Sequence, residues 1–95
     1  MRLGGRKGMY FIVVYDVEVR RCRKVLKICR KYLHQVLRSA FEGYLTQEQY
    51  SMLKSELRKV IDEEYDSIYF YIIKTGSAPH KLIIGEAQGE KSMIE

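Results

Sequence analysis

The stretch "MYFIVVYDV", residues 9–17, runs apolar and aromatic side chains straight into one carboxylate, Asp16. In sheets with helical connections, ligand sites gather at the carboxyl ends of the strands, where loops and helix N-termini converge. Two roles suit an aspartate there. It can cap the helix that follows, or it can ligate magnesium or another divalent cation, which takes one or two carboxylates and completes its shell with waters and phosphate oxygens. One Asp16 per chain is a sparse metal site. If a two-fold axis brought two copies together they could share an ion, which would lower the pKa of a bound water and polarise a phosphodiester. Glu18 and Ser39 are candidate neighbours.

Phosphate contact has its own candidates: Arg20, Arg21, Arg23, Lys24, Lys27, Arg30, Lys31 and Arg38, with no acidic residue between Val19 and Phe41. Glu48, Glu56, Asp62, Glu63 and Glu64 follow Thr46, so within a formal net charge of +5 the positive potential is concentrated in one part of the chain. That asymmetry suits a polyanion; a solvated basic helix face is the plainer alternative. No base-reading motif accompanies these residues, so contacts to the nucleic-acid backbone with little sequence preference are expected. Tyr69 and Tyr71 read as packing rather than base-stacking residues. Cys22 and Cys29, seven apart, match no metal-ligand pair and read as core. His34 and His80 have no nucleophile near in sequence, and Gly85 and Gly89 do not make a phosphate loop.

These residues need positioning elements. At 95 residues the chain has room for one domain, and no apolar run reaches the roughly 18 residues of a membrane span, so a cytoplasmic protein is expected. Residues 1–8 read as a glycine-rich basic extension, 9–85 as the domain and 86–95 as a polar tail. Residues 9–15 are apolar throughout, as in a central strand covered on both faces. Cys22, Val25, Leu26, Cys29, Tyr32 and Leu33 form one stripe of a helix. Residues 34–45 suit either one long bent strand or two short ones. Thr46 and Gln49 form a capping box that opens a second helix, expected to reach about Glu64. "DSIYFYIIK" is another strand apolar on both sides, and "KLIIGE" a short last one. The order is the β-α-β-β-α-β plan of an α+β, ferredoxin-like fold with an extra C-terminal strand. Two helices cover only one sheet face, so a second copy is expected to cover the other in a two-fold homodimer.

"MYFIVVYDV", "RKVLKICRKYL", "SAFEGYLT" and "DSIYFYII" together resemble the small CRISPR-associated adaptation protein, the second of the two core spacer-acquisition proteins, from Met9 to about Gly85. The resemblance implies a ferredoxin-like homodimer whose last strand, here Leu82 to Ile84, adds to the partner's sheet. It implies two activities: a metal-dependent endonuclease, mostly an endoribonuclease on single-stranded RNA, and a scaffold that joins CRISPR integrase subunits and carries double-stranded DNA. It places magnesium on Asp16, with Tyr15, Arg21, Arg23, Ser39 and Phe41 in or around the site. The chain departs from the family's middle motif at Leu37, commonly glutamine, and at Ala40, commonly valine, which removes a polar side chain near the site. Residues 1–8 have no counterpart. The alternatives to a catalytic adaptation subunit are a non-catalytic adaptor and a free-standing toxin-like ribonuclease of the same fold.

Overall fold

A computed structural model describes residues 8–73 and 80–85. The chain folds as β1 (Met9–Asp16), α1 (Val19–Tyr32), β2 (His34–Leu37), β3 (Ala40–Leu45), α2 (Gln47–Val60), β4 (Ser67–Ile73) and β5 (His80–Gly85). The expected polar tail, and all but the last residue of the N-terminal extension, lie outside the described residues. The strands form one sheet in the order β2-β3-β1-β4-β5, every neighbouring pair antiparallel. This is the ferredoxin-like α+β plan, with β5 as the additional strand.

Strand alternation sorts the side chains into two sets. Toward the helices point Phe11, Val13 and Tyr15 from β1, Phe41 and Leu45 from β3, and Ile68 and Phe70 from β4; they are buried against Val25 and Cys29 of α1 and Tyr50, Leu53 and Leu57 of α2. The Tyr50 ring lies 4.5 Å from Phe11 and 5.5 Å from Phe70, centroid to centroid. Each large apolar side chain so buried contributes about 1.5–3 kcal/mol. The opposite set, which includes Tyr10, Ile12, Val14, Tyr44, Tyr69, Tyr71, Ile73 and Ile83, pairs across the strands as Ile12 with Tyr71 and Val14 with Tyr69. Neither helix packs there, and Tyr44 is 67% exposed.

Several details refine the sequence reading. Residues 34–45 form two strands, β2 and β3, with a register irregularity between Gln35 and Leu37. The second helix stops at Val60 rather than near Glu64, because residues 62–66 fold into a turn in which the N–H groups of Tyr65 and Asp66 both donate to the Asp62 carbonyl, at 2.9 and 2.8 Å. Its start is as expected: Thr46 and Gln49 exchange both capping-box hydrogen bonds. In the single chain the last strand pairs with β4, Tyr69 opposite Ile83. In a single chain the outer edge of β4 offers unpaired N–H and C=O groups, and β5 satisfies them. Finally, Gly85 closes β5 with φ +96°, and a Cβ there would lie 1.9 Å from the Asp66 carbonyl oxygen, so only glycine lets the two backbones meet.

Candidate active site and nucleic-acid face

Asp16 is the exposed last residue of β1, on the same sheet face as Ile12 and Val14. It does not cap α1. The N-cap is Glu18, whose side chain makes no capping bond. Instead the fully buried carboxylate of Asp66 supplies the acceptors: it takes N–H bonds from Glu18 at 3.0 Å and Asp62 at 2.9 Å, and from Arg21 through Nε at 2.6 Å and Nη2 at 3.0 Å. Burial pushes the Asp66 pKa up, but the Arg21 guanidinium and the two backbone donors outweigh it and hold the group at about 2. Asp16 is thereby left without a hydrogen bond or ion pair to any described side chain. Glu18 does not share that freedom, being held by Arg20 at 2.9 Å and Arg21 at 3.2 Å.

Asp66 is a residue that sequence reading missed, and it changes the setting of Arg21. The Arg21 side chain is only 16% exposed and turned toward Asp66, so in this structure it fastens α1. Its signal in the sequence is slight: an acid placed directly before a strand that is apolar on both faces must be satisfied by something.

Tyr15 precedes Asp16 and therefore points to the helix side, where its ring stacks on Phe41 at 6.2 Å. Phe41 is fully buried, so it supports Tyr15 and does not touch a substrate. The Tyr15 N–H donates to the Ser39 carbonyl at 3.1 Å and its hydroxyl to the Arg38 carbonyl at 3.4 Å, fastening the β2–β3 turn to the end of β1. Burial raises the Tyr15 pKa above its ordinary value, so the hydroxyl stays a donor near neutrality. Gln35 holds the same turn from β2: its Nε2 donates to the Leu37 and Arg38 carbonyls, both at 3.2 Å, and its Oε1 accepts from Arg30. A glutamine amide thus reaches this region from residue 35, although position 37 carries an exposed leucine. Between α1 and the turn lies a cleft of about 320 Å³ lined by Tyr15, Cys22, Arg23, Leu26, Gln35, Arg38 and Ser39.

The basic residues separate into two groups. Arg20 is paired with Glu18, Arg30 with Gln35, and Lys31 with Glu56, which also accepts from the Tyr32 hydroxyl. Arg23, Lys24, Lys27 and Arg38 are exposed and have no acidic partner among the described residues. A second basic groove, not foreseen from the sequence, lies wholly on α2 between Ser51, Lys54, Ser55, Arg58 and Lys59. Cys29 is buried, which pushes its thiol up to about 12 and leaves it inert.

A divalent cation finds a limited donor set. Among the described residues no three His, Cys, Asp or Glu side chains gather around one point. Asp16 supplies one hard oxygen ligand per chain, which fits magnesium when a second carboxylate, waters and substrate phosphate complete the shell.

Residues 9–78 match the protein family described as CRISPR associated protein Cas2. The chain is similar to the CRISPR-associated endoribonuclease Cas2 of Dictyoglomus turgidum, 42% identical over 86 residues that cover 90% of this chain and 99% of that one. It is equally similar, with the same identity and coverage, to the protein of that name from Thermotoga maritima. Among solved structures, Streptococcus pyogenes Cas2 superposes with a TM-score of 0.66 at 35% identity, covering 72% of this chain and 89% of its own.

Proposed function

Because the chain belongs to the family of CRISPR associated protein Cas2, we propose that it acts in CRISPR adaptation as a homodimer that binds nucleic acid and hydrolyses RNA phosphodiesters with magnesium held by paired copies of Asp16. The observation that supports this reading is the carboxylate of Asp16 at the carboxyl end of β1, which has no partner among the described residues, with Arg23 and Arg38 at the same end of the sheet likewise without acidic partners among them. The relatives named endoribonuclease support the reaction class.

The bare sheet face supports the homodimer. Tyr10, Ile12 and Val14 share their face with Asp16, so a second copy covering that face around a two-fold axis brings the two aspartates toward each other. The paired Asp16 carboxylates would hold a magnesium ion, which when bound would acidify a water and polarise the phosphodiester. The chain's own residues do the rest. Asp16 orients the ion's shell, Arg23 and Arg38 hold the phosphates on either side, Lys24 and Lys27 extend the contact along α1, and the β2–β3 turn carrying Ser39 is kept in place by Tyr15 and Gln35.

The test is Asp16→Asn in the full-length protein. Magnesium-dependent cleavage of single-stranded RNA is expected to vanish while dimerisation and nucleic-acid binding persist. Equal cleavage by the variant would refute a catalytic Asp16.

A second reading rests on a different observation. Two carboxylates placed close to Asp16, that of Glu18 two residues on and that of Asp66 beside the Ser67 that pairs with Asp16, are both occupied by arginines. That favours a non-catalytic adaptor, which bridges integrase subunits and double-stranded DNA and uses only the basic face. Exchanging Arg23, Lys24 and Lys27 together for glutamine would then weaken duplex binding and flatten its salt dependence, with no cleavage to lose.

A further inference from the structure

We propose that the cleft between α1 and the β2–β3 turn receives one unpaired nucleobase, with the phosphates flanking that nucleotide on Arg23 and Arg38. The inference rests on the nucleic-acid binding proposed above and adds the form of the substrate at that site: a single strand, or a duplex end with its last base splayed out.

The cleft has the makings of such a site. Its walls are the side chains of Leu26 and Cys22 from α1 and the Tyr15 ring from β1, which together offer a largely apolar surface to a flat ring. Its volume of about 320 Å³ lies at the small end of ligand clefts, which run from roughly 300 to 1,000 Å³, and suits one base with part of its sugar but not a stacked base pair. Two guanidinium groups line it, and neither makes a hydrogen bond or ion pair among the described residues, whereas the other arginines of this end are engaged, Arg20 with Glu18 and Arg21 with Asp66 as ion pairs and Arg30 with the neutral amide of Gln35. An apolar slot edged by two unsatisfied cations matches a base joined to phosphates and matches neither a free phosphate nor an apolar small molecule.

The polar groups of the cleft also bear on specificity. The Gln35 amide already donates to two carbonyls and accepts from Arg30, so little of its capacity is left for reading a base edge. The Ser39 hydroxyl also lines the cleft and has no side-chain hydrogen bond among the described residues, and a hydroxyl both donates and accepts. The slot therefore grips any base by its face and distinguishes weakly among the four, as stacking sites for single strands do.

The experiment measures binding of the full-length protein to a fluorescent single-stranded RNA without magnesium, so that no cleavage intervenes. An abasic nucleotide is moved through each position in turn. With an RNA only a few nucleotides long, which spans one chain's cleft and cannot shift its register without losing phosphate contacts, one position is expected to matter, with affinity falling about tenfold or more when its base is missing, as is usual for a stacked base. In Cys22→Phe, which fills the cleft, the intact RNA should bind as weakly as that abasic RNA, and the positional effect should disappear. Because a filled cleft risks misfolding, the wild-type protein is also titrated with RNA carrying 2-aminopurine at the sensitive position, whose fluorescence should change as the base leaves its neighbours. Uniform affinity along the abasic series, with binding otherwise intact, would overturn the base cleft and leave the nucleic-acid reading standing. No affinity for any RNA or DNA at low salt would remove both.

Discussion

Asp66→Asn is the sharpest probe of how this end of the sheet is built. The aspartate is fully buried and accepts four hydrogen bonds, two on each oxygen: Oδ1 from Glu18 N and Arg21 Nη2, Oδ2 from Arg21 Nε and Asp62 N. Asparagine keeps one oxygen, and in either orientation turns its NH₂ toward two donors while leaving the Arg21 cation only the half-exposed Glu18 as a counter-charge. Breaking one partner of a buried pair costs about 3–5 kcal/mol, a large share of the stability of a small domain. The pH dependence gives a second figure. The folded carboxyl is held at about 2, below the value near 3.9 of an unfolded aspartate, so its contribution is complete above about pH 4 and is lost as pH falls toward 2. A shift of roughly two units corresponds to about 2–3 kcal/mol over that window. Urea unfolding followed by far-ultraviolet circular dichroism, at one protein concentration and at pH 7 and pH 3, measures both quantities. The wild type should lose stability between the two pH values more steeply than Asp66→Asn, which lacks the titrating group. A variant within about 1 kcal/mol of wild type at pH 7 would refute the account of Asp66 as the clamp of α1.

Two further outcomes are expected. Gly85→Ala places a Cβ against the Asp66 carbonyl in a backbone conformation that alanine resists, so it should cost roughly 1–3 kcal/mol and speed amide exchange at Leu82 and Ile84; unchanged protection there would show that β5 is not held at this point. Ile12→Lys introduces a charge into the middle of the uncovered sheet face, and sedimentation velocity at micromolar concentration should shift from dimer to monomer, whereas an undiminished dimer would place the interface elsewhere.

The fold was legible where the sequence carries its own local reasons. β1 and β4 declare themselves by unbroken apolar runs, and α2 begins where Thr46 and Gln49 say it does, because a capping box is built from neighbours three residues apart. The illegible parts depend on residues far apart in the chain. Asp66 reaches Arg21 and Glu18 across 45 and 48 positions, so no local pattern marks it, and without it Arg21 looks like one more phosphate contact. The cleft draws its lining from β1, α1, β2 and the turn after it, and only the register of β1 with β3 brings these together. Gln35 takes up a polar position that looked vacant at Leu37 because the irregular pairing of β2 changes which residues face the turn.

Consecutive residues of a strand face opposite ways, and this has a consequence for Tyr15 and Asp16. Asp16 belongs to the sheet face left bare by the helices, and Tyr15 to the wall of the cleft beneath α1. A phosphodiester at Asp16 and a base in the cleft are therefore on different sides of the sheet, joined only around the carboxyl end of β1. A single strand can turn around that end, because its backbone bends at every nucleotide. A rigid duplex cannot, unless its terminal base pair opens. In the homodimer proposed above the two bare faces would meet, so each chain would contribute Asp16 to the shared side and keep its own cleft on the outside. That arrangement would make one central acidic site with two flanking base sites, and it would relate the endonuclease and adaptor readings by geometry: the flanking basic faces could hold a duplex whether or not a strand ever reached the centre.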